Sequence, residues 1–190
     1  FTVHFIAECA WREEQLTTRI TPQLTIVTRF GLISLKVPCF AKQAITLFIS
    51  EILVSCVQEE EQNESLYHYI ENSLIWLDLN SNIANFHLYF LINLTKYLGF
   101  YPDKTNINGS FFDLNEGSFL DFQPKFEYIS GEKLTILKQL LGIDFDELDL
   151  IQINSKMRYE FLTIIIRYFE LHLSGFRKPK SIEILKSVFN

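Results

Sequence analysis

The sequence predicts a mainly helical protein: a multi-helix bundle that carries a small β-hairpin insertion and follows a short β segment. Two observations favour this class. Glycine (7) and proline (5) are scarce among the 190 residues, which argues against a turn-rich all-β sandwich. From about residue 39, apolar side chains recur with the period of an α-helix, and an apolar content of 48% is enough for a sizeable core.

Residues 1–34 have a different pattern. FTVHFIAECAW and LTTRITPQLTIV are rich in β-branched and aromatic residues and are separated by REEQ, which predicts a β-hairpin. Pro22 is expected at an edge or a bend. Because two or three strands do not bury themselves alone, upstream residues or the helices must cover them. The chain begins with Phe instead of Met, so we expect it to be a fragment with a segment upstream.

The helical part begins in AITLFISEILVSCV, where one apolar stripe contains Ile45, Phe48, Ile49, Ile52, Leu53 and Cys56. The acidic linker QEEEQNES follows, and Ser65 is the expected cap of the helix LYHYIENSLIWLDL. The next helix is predicted in SNIANFHLYFLINLTKYLG, with Ser81 or Asn82 as its cap and Gly99 as its stop. Its apolar residues cover nearly every side, which is typical of a central helix.

A hairpin and three helices are predicted in the second half. The segment FFDLNEGSFLDF suits a short hairpin with Gly117 at the left-handed position of its turn. A short helix ends at Gly142, and IDFDELDL contains a brief helical turn. The longest helix lies in NSKMRYEFLTIIIRYFELHLSG, with Gly175 as its C′ residue. The last helix, SIEILKSVF, is expected to have Ser181 as its cap.

No catalytic or metal-binding motif is present. HExxH, GxSxG, phosphate-loop and GxGxxG patterns are absent. His87 and His172 lie in apolar helical patterns and are interpreted as satisfied core or boundary residues, and Cys39 and Cys56 as packing residues. Three cysteines without a CxxC pair favour a reduced cytosol. The longest apolar run has 14 residues and contains Glu51, so no membrane span is expected.

Charge is distributed unevenly. The net charge is +1 in residues 1–36, −11 in 37–155 and +4 in 156–190. The seven C-terminal cations are Lys156, Arg158, Arg167, Arg177, Lys178, Lys180 and Lys186. An acidic centre repels phosphates, so a nucleic-acid or acidic-peptide contact is expected at the C-terminal end or on the strands. Alternatively, cations after a helix C-terminus stabilise the helix dipole, which applies to Arg177 and Lys178.

Four stretches resemble the RecO family of recombination mediators in its Bacteroidetes-type version: AITLFISEILVSCV, NFHLYFLINLTKYLGFYPD, FFDLNEGSFLDFQP and YFELHLSGFRKPKSIEIL. The resemblance covers residues 35–190 and implies a helical domain, preceded in residues 1–34 by the last strands of a truncated OB fold. Many family members carry a four-cysteine zinc finger at the position of residues 102–126. This segment has no Cys and no His, so we expect no metal and no cofactor. An aromatic cluster is predicted instead, made of Phe111, Phe112, Phe119 and Phe122.

The resemblance implies a non-enzymatic mediator of DNA repair and homologous recombination in the bacterial cytoplasm, associated with the nucleoid. Family members bind single- and double-stranded DNA, RecR and single-stranded-DNA-binding protein, anneal complementary strands and help to load the recombinase. The candidate residues for DNA binding or partner docking are Arg12, Arg19, Arg29, Arg167, Arg177, Lys178 and Lys180. The cations of the helical part are expected to receive the acidic, carboxylate-ended tail of single-stranded-DNA-binding protein.

Two other classes of function remain open at this point. One is an all-helical adaptor that contacts proteins and not DNA. The other is an enzyme whose catalytic residues lie upstream of residue 1. The upstream sequence separates them: basic, glycine-marked short strands indicate the mediator, a second helical array indicates the adaptor, and a nucleophile or phosphate-loop signature indicates the enzyme.

Overall fold

A computed structural model describes residues 23–28, 31–36, 39–57 and 63–189. Two antiparallel strands, β1 (Gln23–Thr28) and β2 (Gly31–Lys36), come first and pair in the register Gln23↔Lys36 to Thr28↔Gly31. β2 lies beside the second helix of the chain. The hairpin with REEQ at its turn, and Pro22, lie outside the described residues.

In the described residues, six α-helices and a 3-10 helix follow, as the helical period predicts. They are α1 (Phe40–Cys56), α2 (Glu64–Leu79), α3 (Phe86–Leu98), α4 (Gly131–Leu141), the 3-10 helix (Phe145–Leu150), α5 (Ser155–His172) and α6 (Ile182–Val188). All six residues of the predicted stripe on α1 are buried. Central α3 contacts α1, α2, α4, α5 and the 3-10 helix, and Phe86, Leu88, Phe90, Leu91 and Leu94 on it are fully buried. The prediction that this helix is central is therefore confirmed.

The β-hairpin insertion is a three-stranded antiparallel sheet between α3 and α4. Its strands are β3 (Phe111–Asp113), β4 (Ser118–Leu120) and β5 (Tyr128–Ser130), in the order β4-β3-β5. Gly117 is in the left-handed region (φ 64°), as its place in the turn requires. The Asp113 carboxylate also holds this turn, because Oδ1 accepts the backbone N–H groups of Asn115 (2.8 Å) and Glu116 (3.2 Å).

The predicted aromatic cluster is only half correct. Phe112 and Phe119 are paired across β3 and β4, with ring centroids 4.9 Å apart, and both are buried. Successive side chains of a strand point to opposite faces, so Phe111 is on the outer face of the sheet, where it contacts Tyr128. Phe122 lies beyond the end of β4 and is 67% exposed. The sheet thus has the buried pair Phe112 and Phe119 on one side and the contact between Phe111 and Tyr128 on the other.

The N-terminal caps of α2 and α3 differ from the predicted ones. α2 begins at Glu64, and its cap is Asn63, two residues before the predicted Ser65; the Asn63 side chain accepts the N–H of Leu66 at 2.9 Å. α3 begins at Phe86, after the predicted caps Ser81 and Asn82, and the side chain of Asn85 at its start donates to the carbonyl of Ile151 (2.7 Å) instead of capping the helix. Gly99 does end α3, with φ 86°. Asn, Ser and Asp each suit a cap, so packing against distant residues decides which of them takes that position.

Candidate macromolecule-binding site

The candidate site is the segment that joins α5 to α6, residues 173–181, here called the basic loop. α5 ends at His172, and Gly175 has φ 83°, which lets the chain turn away two residues after the cap Leu173. Phe176 packs on Phe169 of α5, with ring centroids 5.5 Å apart. The loop therefore has an apolar inner side that fixes its course against the bundle.

Two contacts to α1 hold the basic loop. The backbone N–H of Arg177 donates to Ser55 Oγ at 2.5 Å. At the other end of the loop, Ser181 donates its backbone N–H (3.0 Å) and its hydroxyl (2.9 Å) to Glu51 Oε2. Glu51 and Ser55 are four residues apart and so lie on one face of α1. The loop is thus attached to one side of this helix at two points.

The side chains of Arg177, Lys178 and Lys180 are exposed. Within the described ranges, no acidic side chain forms an ion pair with any of the three. Three cations on four successive residues, on a backbone held in place, form a compact positive surface. An arginine guanidinium and lysine ammonium groups suit carboxylates and phosphates.

The C-terminal ends of α5 and α1 also contribute to the electrostatics of the basic loop. The loop starts directly after α5, and Arg177 is attached to the last turn of α1 through Ser55. Helix C-termini carry partial negative charge, and a nearby cation stabilises each by a few tenths of a kcal/mol. Stabilisation of a helix dipole by Arg177 and Lys178, which needs no ligand, stays a prediction of the sequence.

Arg167 is not part of this surface. It is on α5, where Nε and Nη2 donate to the Glu127 carboxylate at 2.6–3.0 Å and Nη1 donates to Glu170 at 3.1 Å. These hydrogen bonds raise the pKa of Arg167, and the guanidinium lowers the pKa of Glu127. Both groups are exposed, so the pair contributes little to stability. Its main effect is to attach the loop before β5 to α5.

The remaining sequence candidates lie elsewhere. Arg12, Arg19, Arg29 and the neighbouring Trp11 are outside the described residues. Arg158 is one of the seven C-terminal cations of the sequence. It is half-buried and donates to Asn85 Oδ1 (3.0 Å) and to the Ile153 carbonyl (2.6 Å). Burial lowers the pKa of its guanidinium. Arg158 is thus a structural residue that ties α5 to the start of α3.

The histidines and cysteines form no reactive pair in the described part of the chain. Burial raises the pKa of the Cys56 thiol to about 12, as expected of a packing residue, whereas Cys39 is exposed, so its assignment to packing is wrong. His172 donates from Nε2 to the Leu114 carbonyl (2.9 Å) and stacks on Phe100. His87 is buried, but its Nδ1 has no hydrogen-bond partner among the described residues, so within them it is not the satisfied core residue that was predicted. No group of three or more metal-ligating side chains occurs in these ranges.

The contact that the sequence did not show is the one between Glu51 and Ser181. The one feature of the sequence that indicates this contact is that Glu51 is a charged residue in an otherwise apolar stretch of α1. A carboxylate in such a place needs hydrogen-bond donors, which Ser181 supplies from 130 residues further along the chain. Periodicity identifies the helix but not this distant donor.

The fold and the site define a mainly helical domain with a three-stranded insertion and a fixed, exposed basic loop. The family model described as "Recombination protein O C terminal" matches residues 40–181, which run from the start of α1 through α5 to the cap of α6. The chain therefore belongs to the RecO family. No solved structure matches it.

Relatives named DNA repair protein RecO share much of the sequence. The protein of Christiangramia forsetii is 45% identical over 148 residues, 78% of this chain and 62% of that protein. The protein of Flavobacterium psychrophilum is 43% identical over 149 residues, with the same coverage. The protein of Bacteroides fragilis is 35% identical over 153 residues, 78% of this chain and 63% of the relative. The match thus spans less than two thirds of these relatives' length.

Proposed function

We propose that this chain is part of a non-enzymatic mediator of bacterial DNA repair and homologous recombination, which acts by binding DNA, RecR and single-stranded-DNA-binding protein. It would thereby promote strand annealing and recombinase loading in the cytoplasm, at the nucleoid. Membership of the RecO family and the names of its relatives support the repair function. The basic loop is the observation that carries the site: three exposed cations on a segment attached to α1.

In this proposal the helical domain is the protein-binding part. The basic loop binds the acidic, carboxylate-ended tail of single-stranded-DNA-binding protein, because the guanidinium of Arg177 can donate two hydrogen bonds to one carboxylate. DNA binding is assigned to residues 1–34, as the end of an OB fold, through Arg12, Arg19 and Arg29. Residues 35–190 form the second domain. The strongly acidic composition of residues 37–155 argues against a phosphate-binding surface on the body of the bundle.

The experiment measures binding of a fluorescent peptide with an acidic sequence and a free C-terminal carboxylate, followed by fluorescence anisotropy. The variant Arg177→Ala/Lys178→Ala/Lys180→Ala should bind the peptide at least about tenfold more weakly, because three charges that face the ligand are lost. The control Lys96→Ala/Lys125→Ala/Lys156→Ala removes three exposed cations elsewhere and should bind within about twofold of the parent chain.

If both triple variants lose the same affinity for the peptide, the loss is explained by net charge alone. If the variant of the basic loop binds the peptide as tightly as the parent chain, its three cations have no function in binding and only their effect on the helix dipoles is left. Circular dichroism should show the same helix content in all three proteins. Arg167→Gln extends the test. Because Glu127 and Glu170 already engage Arg167, its loss should leave peptide binding within about twofold.

The second candidate is a protein-binding adaptor without DNA contact, favoured by the net charge of −11 in residues 37–155. A labelled oligothymidine distinguishes the two. The mediator should bind it with an affinity that falls as salt rises, and Arg12→Ala/Arg19→Ala/Arg29→Ala should weaken that binding and reduce its salt dependence. An adaptor should bind the acidic peptide but not the oligonucleotide.

A further inference from the structure

The segment that joins β4 to β5, together with the first residue of β5, carries exposed aromatic side chains. Phe122, Phe126 and Tyr128 are 67%, 73% and 37% exposed and lie within residues 121–128, here called the aromatic loop. In the part of the chain that the structure describes, the other exposed Phe, Tyr or Trp is Phe40, at the start of α1. Exposed apolar side chains are common singly, whereas a cluster of large ones marks an interaction surface.

The aromatic loop has a fixed backbone. Arg167 binds the Glu127 carboxylate through two nitrogens, and the carbonyl of Glu127 accepts the N–H of Leu114 at 3.0 Å. The side-chain amide of Gln123 donates to the Tyr128 hydroxyl at 2.8 Å and so joins the two ends of the loop. Aromatic rings on a backbone that is already ordered lose little entropy on binding.

The charge around these rings is negative. From Phe111 to Ser130 there are four acidic residues, Asp113, Glu116, Asp121 and Glu127, and one basic residue, Lys125. Asp113 is buried and its carboxylate accepts N–H groups of the turn, so the other three are the exposed carboxylates. Arg167 offsets one of these three, Glu127. Surfaces that stack nucleic-acid bases combine aromatic rings with a positive groove for phosphates, and no such groove is formed by this segment. Aromatic rings beside carboxylates suit a cationic protein segment instead.

Arginine fits this surface best. A guanidinium stacks on aromatic faces and also pairs with carboxylates in a planar fork, whereas a lysine ammonium stays more strongly hydrated. We propose that the aromatic loop is a docking surface for a protein partner that presents an arginine-bearing segment to Phe122, Phe126 and Tyr128. The chain would then have two binding surfaces of opposite preference, with the basic loop for an acidic partner and the aromatic loop for a basic one.

The probe is a fluorescent twelve-residue peptide in which Arg alternates with Gly and Ser, compared with matched peptides that carry Lys or Glu. We expect the whole chain to bind the Arg peptide at least about threefold more tightly than the Lys peptide, and not to bind the Glu peptide at this surface. The variant Phe122→Ser/Phe126→Ser should bind the Arg peptide about tenfold more weakly, as loss of aromatic anchors does at interfaces. Phe40→Ser, the same change at 65% exposure on α1, should leave this binding unchanged.

Three results would overturn the proposal: no binding of the Arg peptide at about 1 mM, equal loss in Phe40→Ser, or equal affinity for the Arg and Lys peptides. A labelled oligothymidine is measured in parallel. If the double variant weakens oligonucleotide binding and leaves peptide binding intact, the surface binds nucleic acid and the proposal is wrong. The substituted side chains are exposed, so the variants should melt within a few degrees of the parent chain, which confirms that they are folded.

Discussion

At the scale of single residues, the contact between Glu51 and Ser181 determines where the basic loop ends. Ser181 is buried and donates two hydrogen bonds to one carboxylate oxygen, and its backbone is helical (φ −69°, ψ −3°). Its hydroxyl therefore anchors α6 to α1 and does not cap α6, although it occupies the cap position as predicted. The same residue both starts the helix and sets the position of Lys180 beside it.

This contact gives a prediction for stability. Glu51→Ala leaves the N–H and hydroxyl of Ser181 buried without an acceptor and should lower the free energy of unfolding by about 2–3 kcal/mol. Ser181→Ala removes one of the two hydrogen bonds and should cost about 1 kcal/mol. Urea denaturation measures both. Ser187→Ala, an exposed serine on α6 that bonds only to the Ile184 carbonyl, should stay within about 0.5 kcal/mol, and a larger loss there would point to α6 in general.

Gly117 gives a second prediction at this scale. A Cβ at this position would lie 2.5 Å from the Tyr168 hydroxyl, in a left-handed conformation. That hydroxyl donates to the Phe100 carbonyl at 2.8 Å. Gly117→Ala should therefore lower the free energy of unfolding by about 2–3 kcal/mol, from the strained backbone and the disturbed hydrogen bond. Gly175 also has a positive φ (83°), but a Cβ there would meet open space. Gly175→Ala should therefore lower the free energy of unfolding by only about 1 kcal/mol. Equal losses would show that the contact with Tyr168 has no effect.

His87 makes stability depend on pH. Burial, with a smaller contribution from the charge of Arg158, lowers the pKa of His87 to about 3. The unfolded chain protonates this residue near pH 6.5, so the folded state loses stability as pH falls below that value. Between pH 7.5 and 5, the parent chain should lose about 2 kcal/mol more than His87→Leu, as measured by urea denaturation at each pH. Parallel curves for the two proteins would contradict the buried, neutral state of His87.

At the scale of elements, the sequence predicted helices well and their starts poorly. The stripe from Ile45 to Cys56 has one apolar face, and every member of it is buried in α1. Periodicity is a property of the segment itself, so it can be read without the rest of the chain. The caps depend on distant partners, because the Asn85 side chain donates to the Ile151 carbonyl and the Ser181 hydroxyl donates to the Glu51 carboxylate. The residue pattern of FFDLNEGSFLDF likewise predicted the hairpin and the left-handed position of Gly117 in its turn, and both are confirmed.

The candidate site was predictable by its charge and not by its geometry. Arg167 and Arg177 look alike in the sequence, as two arginines in the same basic C-terminal region. The structure separates them, because Glu127 lies 40 residues before Arg167 and engages it, whereas Arg177 contacts α1 through its backbone and leaves its side chain exposed. Such pairing across the chain follows from tertiary packing, which residue counts do not contain.

At the scale of the whole molecule, opposite charges are concentrated in different parts of the chain. The bundle is acidic between residues 37 and 155, and the positive loop lies at its C-terminal end. A partner is attracted to one surface and repelled by the other, so charge alone helps to orient it. Within the described ranges, no helix is long and apolar enough to cross a membrane. The two binding proposals depend on the separation of charge along the chain.

The insertion gives the last prediction, which concerns metal. The inner face of the small sheet holds Phe112, Phe119 and Ile129, all buried, and residues 102–126 contain no thiol or imidazole. Zinc requires such ligands in a tetrahedral set, so apolar packing must stabilise this sheet. Metal analysis of the purified chain should give well below one zinc per molecule, and a chelator should shift its melting temperature by less than about 1 °C, in contrast to a zinc-stabilised fold. Stoichiometric zinc, or a large shift on chelation, would show that ligands from other parts of the chain complete a metal site.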